Sequence, residues 1–151
     1  AQGSGGSSVA STSAAQGTGG MMGGSTTCPN PTVLTCGSMV TGTTIGGPKN
    51  IAAVGCNGVG VPGPEAYYTF TSASNKNVTV TLAGVGNQDL DLAIVGEKNG
   101  DCDPKDCYAW GWGSTNMEQE QFKAASNVTY YIIVESSFTI GADFSLTVSC
   151  I

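Results

Sequence analysis

Apolar and polar residues alternate along most of the chain beyond Cys28, and no segment sustains a 3.6-residue period. Alternation with period two sets successive side chains on opposite faces of an extended strand, so it predicts half-buried β-strands. Glu65–Thr71 (EAYYTFT) puts Tyr68 and Phe70 on one face and Tyr67 and Thr69 on the other. Asn77–Ala83 turns Val78, Val80 and Leu82 inward, and Asp89–Val95 does the same with Leu90, Leu92 and Ile94. Asn127–Glu135 (NVTYYIIVE) is the most apolar run and predicts a central strand buried on both faces. Asp143–Cys150 closes the pattern with Phe144, Leu146 and Val148 inward. Met39–Ile45, rich in threonine, reads as an edge strand, and Cys107–Trp112 and Met117–Lys123 are weaker strands. Met117–Ala125 also suits a short helix, but its place between strand signals favours a strand. Glycine and proline mark Gly55–Pro64 as a loop. Several such strands, separated by turn residues, predict an all-β fold: an antiparallel, jelly-roll-like β-sandwich.

Ahead of this pattern, the first charged residue is Lys49. Residues 1–27 are mostly Gly, Ser, Ala, Thr and Gln, broken by Val9 and the pair Met21–Met22. Such a segment buries too little apolar area to offset its own ordering entropy. The chain therefore divides into a low-complexity connector, residues 1–27, and a folded domain, residues 28–151. A neighbouring copy is the economical means of ordering the connector. Ser7, Ser8, Val9, Ala10 and Ser11 open its longest stretch without adjacent glycine, Ser7–Gln16. That stretch can add to a sheet edge, because backbone pairing needs no particular side chain. Met21 and Met22 suit a shallow apolar pocket. The alternative is a head folded back on its own sandwich.

Charge narrows the function classes. Charged residues are 11% of the chain and the net charge is -6, with five lysines as the cations and no histidine. Without a basic patch or an arginine fork, nucleic acid is not expected as a partner. Without histidine, the usual general base and neutral metal ligand are missing. No apolar run is long enough for a membrane-spanning helix. Cys28, Cys36, Cys56, Cys102, Cys107 and Cys150 form an even set without a C-x-x-C motif. They read as disulfides made in an oxidising compartment rather than as a zinc site. The chain starts with Ala, as a mature product does after signal-peptide removal. The expected location is secreted, extracellular or cell surface. Six cysteines allow many pairings, which spacing alone leaves open.

The order of motifs resembles a known family. Cys36–Gly37 comes first, then Gly63-Pro64-Glu65 before the aromatic strand Tyr67, Tyr68, Phe70. The Val78–Leu82 strand, Asp-Leu-Asp-Leu at 89–92, and the Cys102–Cys107 segment follow. Tyr130–Val134 and the Ser145–Cys150 ending complete it. This resembles the bacterial pre-peptidase C-terminal (PPC) domain in its cysteine-containing secreted form, from about Cys28 to the end. The resemblance implies a β-sandwich without catalytic activity of its own, of the kind appended to secreted peptidases and other exoproteins. With the sequence order, it also implies the pairs Cys36–Cys56, Cys102–Cys107 and Cys28–Cys150.

Two constellations are candidates for binding. Asp89 and Asp91 share one strand face, and Asp101 and Asp103 lie in an acidic turn. Oxygen-rich turns can hold Ca²⁺, as some PPC relatives do, and otherwise such acids are solvated turn residues. No other cofactor is expected. Tyr108, Trp110 and Trp112 alternate, so a regular strand sets all three on one face. That stripe suits core packing, a subunit contact or a glycan platform. Asn77-Val78-Thr79 and Asn127-Val128-Thr129 match glycosylation sequons, but both read better as turn-to-strand starts. The expected function is a structural subunit of an extracellular filament or surface assembly, a homopolymer joined through its N-terminal segment. The alternative is a secreted polysaccharide or cell-wall binding module, or a non-catalytic accessory domain of an exoenzyme.

Overall fold

The computed structural model describes residues 27–58, 60 and 63–151. Among them the strands are β1 (Thr32–Leu34), β2 (Met39–Thr43), β3 (Glu65–Thr71), β4 (Lys76–Gly84), β5 (Leu90–Lys98), β6 (Asp101–Gly111), β7 (Met117–Ala124), β8 (Thr129–Ser136) and β9 (Asp143–Cys150). They form a five-stranded sheet, β1-β3-β8-β5-β6, packed on a four-stranded sheet, β2-β9-β4-β7. Every pairing is antiparallel except β1 with β3. This is the expected all-β sandwich. The alternating residues meet between the sheets, where Phe70, Leu82, Leu92, Ile132, Phe144 and Leu146 are fully buried. β8 is central, as its unbroken apolar run requires, and its neighbours are β3 and β5. Met117–Ala124 is a strand because β4 pairs with it along its whole length. β1, too short to show a period, was not legible in the sequence.

A second core covers the outer face of the five-stranded sheet. Ile51 and Val54, from the long β2–β3 connection, pack there with Tyr67, Ala93, Val95, Tyr131 and Ile133. This layer explains why β8 is apolar on both faces: irregular chain takes the place of solvent. At the β5–β6 turn, Asn99 and Gly100 both adopt positive φ. Asn-Gly accepts that backbone, and the hairpin closes tightly.

The implied cysteine pairs are not those formed. The bridges are Cys28–Cys102, Cys36–Cys150 and Cys56–Cys107, with Cα separations of 5.8, 5.5 and 5.3 Å. Cys102 and Cys107 lie on one extended strand, β6, which cannot fold back to join them locally. Cys36 precedes β2 and Cys150 ends β9, two strands that are neighbours. Cys56 staples the β2–β3 connection to β6, and Cys28, ahead of β1 in the outer core, staples the chain's entry to the same strand.

Candidate functional site

Three acids form a row across the outer face of the five-stranded sheet. Glu65 on β3 stands opposite Glu135 on β8, and Glu135 stands opposite Asp91 on β5. All three are at most 2% exposed. The inward residues on either side, Ala66, Val134, Leu90 and Leu92, belong to the inter-sheet core, so the pleat turns the acids outward beneath the covering chain. Glu65 is well satisfied. Its carboxylate accepts the Asn50 and Ile51 N–H groups, each at 2.9 Å, and the Tyr67 hydroxyl. Burial and then this hydrogen bond push the Tyr67 phenol well above its usual range. Asp91 accepts the Ser137 hydroxyl at 2.8 Å through one oxygen. Its other oxygen, one oxygen of Glu135 and one of Asp89 are buried without a partner among the described residues. Burial raises Asp91 to about 6 against the opposing Ser137 bond, with Asp89 and Glu118 adding to the rise. Burial, then the charges of Glu65 and Asp91, push Glu135 up to about 8.

Beside this row stands a tryptophan pair. Leu92 pairs with Gly111 and Ala93 with Trp110, so the register carries Trp112 to the level of Asp91. The Trp110 and Trp112 rings stack with centroids 5.2 Å apart and an interplanar angle of 28°. Trp110 packs against the outer core, whereas Trp112 is 59% exposed. The connections at 85–89, 112–116 and 137–142 gather at this end of the sandwich. Ile45, Val85, Met117, Phe138 and Ile140 are also exposed there. This end of the sandwich thus carries exposed apolar side chains as well as the buried acids.

The expected stripe of three aromatics on one face does not form. Val95 pairs with Cys107 but Ile94 with Ala109, so Tyr108 is the extra residue of a β-bulge. The bulge turns Tyr108 toward the other side of the strand. There its ring meets Tyr130 edge-on at 5.0 Å, and it lines a shallow pocket with Asn77, Gln121, Phe122 and Lys123. Nor do the four aspartates proposed for Ca²⁺ converge. Asp89 and Asp91 are at the start of β5, while Asp101 and Asp103 are at the start of β6, the opposite end of the same hairpin. Burial works to raise the Asp101 carboxyl, but the N–H groups of Thr27, Cys28 and Cys102 outweigh it and hold it low. Asp103 accepts the Lys105 N–H and lies 3.9 Å from the Lys98 ammonium. Among the described residues, Asp101 groups with Cys28 and Cys102 as potential metal ligands. Both sulfurs are spent in a disulfide and offer no thiolate. The expected interface residues Ser7, Ser8, Val9, Ala10, Ser11, Met21 and Met22 lie outside the described residues.

No protein-family model and no curated protein matches the sequence. Among solved structures, the pre-peptidase C-terminal domain of a Bacillus anthracis collagenase aligns over 80% of this chain and 95% of its own length. The TM-score is 0.58 at 19% identity. The fold is that of a PPC domain. Aeromonas hydrophila PliG, a periplasmic inhibitor of g-type lysozyme, aligns over 80% of this chain and 99% of its own, with a TM-score of 0.46 and 14% identity. The PPC likeness, at that identity, is one of architecture. The three disulfides of this PPC-like sandwich fit an oxidising compartment outside the cytoplasm.

Glu65, Glu135 and Glu118 were not read as site residues from the sequence, although Glu65 closes the Gly63-Pro64-Glu65 motif. The signal that marks the first two is an acid at the end of a strand whose other residues are apolar on both faces: Glu65 opens EAYYTFT and Glu135 closes in YYIIVES. Glu118 sits at an inward position of β7 and accepts the Gly113 N–H at 2.7 Å.

Proposed function

We propose that the chain is a secreted, non-catalytic accessory module that binds polysaccharide through Trp112. The observation that carries this reading is the exposed Trp112 ring, stacked on the anchored Trp110 at 5.2 Å. Stacking fixes the plane of Trp112, so little side-chain entropy remains to be lost when a flat sugar face settles on it. Its exposed face is apolar, which suits the C–H faces of a pyranose ring. The PPC-like fold adds support, since the similar Bacillus anthracis domain is part of a collagenase. The polymer expectation rests on residues 1–27, all but Thr27 outside the described residues, and is no part of this reading.

The test is retention on insoluble cellulose, chitin and mixed cell-wall polysaccharide. The intact chain is expected to be retained on at least one of them. Trp112→Ala is expected to abolish retention, while Tyr108→Ala, on the other side of the strand, leaves it unchanged. Failure on all three supports, or equal retention of Trp112→Ala, overturns the reading.

A further inference from the structure

Among the described residues the sandwich has four edge strands, and three are blocked against further pairing. β1 has three residues and follows Pro31. β6 carries Asp103, Pro104, Lys105, Asp106 and two register shifts. β7 carries Glu118, Glu120 and Lys123. Short length, charge, proline and bulges are the usual defences of a sheet edge. β2 has none of them: Met39–Thr43 reads MVTGT, five uncharged residues in unbroken register with β9.

The register shows which β2 groups are free. The Thr44 N–H donates to the Ala142 carbonyl, and the Val148 N–H donates to the Ser38 carbonyl. Antiparallel alternation then turns positions 38, 40, 42 and 44 toward β9. The backbone groups of Met39, Thr41 and Thr43 point away from the sheet, without a partner among the described residues. A shallow groove lined by Thr41, Gly42, Thr43, Val85, Asp143 and Phe144 lies at the same edge.

The sequence holds a segment that matches this edge. Residues 1–26 carry no charged side chain, so pairing Ser7–Gln16 with β2 desolvates no ionised side chain of the donor. Ser7–Gln16 is free of glycine and proline. It is joined to the fold by residues 17–27, which span up to ~36 Å when extended. Their anchor, Cys28, is bonded to Cys102 on β6, and β2 lies at the opposite edge of the sandwich. Donor and acceptor on opposite sides of one copy are what a head-to-tail contact needs. We propose that Ser7–Gln16 of one copy adds as a further strand to the β2 edge of a second copy.

Sedimentation of the full chain over a range of concentrations tests this, beside two full-length variants. Thr41→Pro removes an outward N–H that the fold itself does not use, a position where an edge strand tolerates proline. The triple variant Val9→Pro, Thr12→Pro, Ala15→Pro breaks every run in the donor. The intact chain is expected to associate with rising concentration, and both variants to stay monomeric with an unchanged circular dichroism spectrum. A monomeric intact chain, or association of either variant equal to the intact chain, overturns the proposal. If Thr41→Pro does not fold, amide exchange in the unaltered chain decides. Thr41 and Thr43 amides are expected to exchange at least about tenfold more slowly in the associated form than in the triple variant. Protection that persists in a monomer assigns the head to its own edge and overturns donation between copies.

Discussion

Asp91 on β5 and Glu135 on β8 are direct cross-strand partners, and both are completely buried. Glu65 extends the row on the other side of Glu135. The ion pair found among the described residues, Lys98 with Asp103, is at the far end of the β5–β6 hairpin and does nothing for these acids. A row of buried carboxylates without a counter-charge is held down by surrounding packing. Desolvation and mutual repulsion therefore act through the proton.

Stability is expected to fall as pH rises. Glu135 moves from an ordinary value of 4.5 to about 8 on folding, and Asp91 from 3.8 to about 6. A raised value means that the folded state holds the proton more tightly. This contribution is complete below the unfolded values and is lost as pH climbs through the folded ones. Asp101, held low, acts in the opposite sense and withdraws its stabilisation only as pH falls through its folded value. Urea denaturation at about pH 5, 7 and 9 should give a steady decline, with the Asp91 part spent first. Glu135→Gln should flatten the upper part of that profile and raise stability near pH 9 by about 1–3 kcal/mol, because no buried charge remains there. A profile that rises toward pH 9 contradicts the assignment.

Glu65 ties the covering chain to the sheet. Glu65→Ala removes an acceptor shared by two backbone N–H groups and the Tyr67 hydroxyl. The expected loss is about 3 kcal/mol, since buried donors are left unsatisfied. Tyr67→Phe removes one donor and should cost about 1 kcal/mol. The loss from Glu65→Ala should appear first as faster amide exchange at Asn50 and Ile51, before the inter-sheet core responds.

Peptide mapping without reduction should recover the pairs 28–102, 36–150 and 56–107. Their sequence separations are 74, 114 and 51 residues. On the loop-closure argument, removing Cys36–Cys150 by paired serine substitution costs about 4–5 kcal/mol, and Cys56–Cys107 slightly less. The two losses should differ in place. The first frees the β2–β9 edge, and the second frees the covering chain over Ile133 and Tyr67. Thermal unfolding and local exchange together distinguish them.

Most strands were legible in the sequence because a period of two is a local property. EAYYTFT and DFSLTVSC carry their own inward faces, and Glu65–Thr71 and Asp143–Cys150 are strands at those bounds. The run Asn127–Glu135 announced a central strand because nothing polar interrupts either face between Tyr130 and Val134. The aromatic site was half legible. Trp110 and Trp112 share the expected face, but Tyr108 does not, because a bulge shifts parity by one residue and leaves no mark in the alternation. The acidic row was invisible for another reason. Glu65, Glu135 and Asp91 are distant in sequence, and only strand order and register set them side by side.

The sequence by itself determined the all-β class, the faces of the long strands, the sandwich core between them and the oxidised state of the cysteines. Those features depend on residue type and short-range spacing. Tertiary structure decided which cysteines met, which face of β8 was roofed by irregular chain, where β6 bulged, and which edge strand was left unguarded. Each of these depends on contacts between residues far apart in the chain, where many pairings satisfy the same local pattern and packing of the whole selects one.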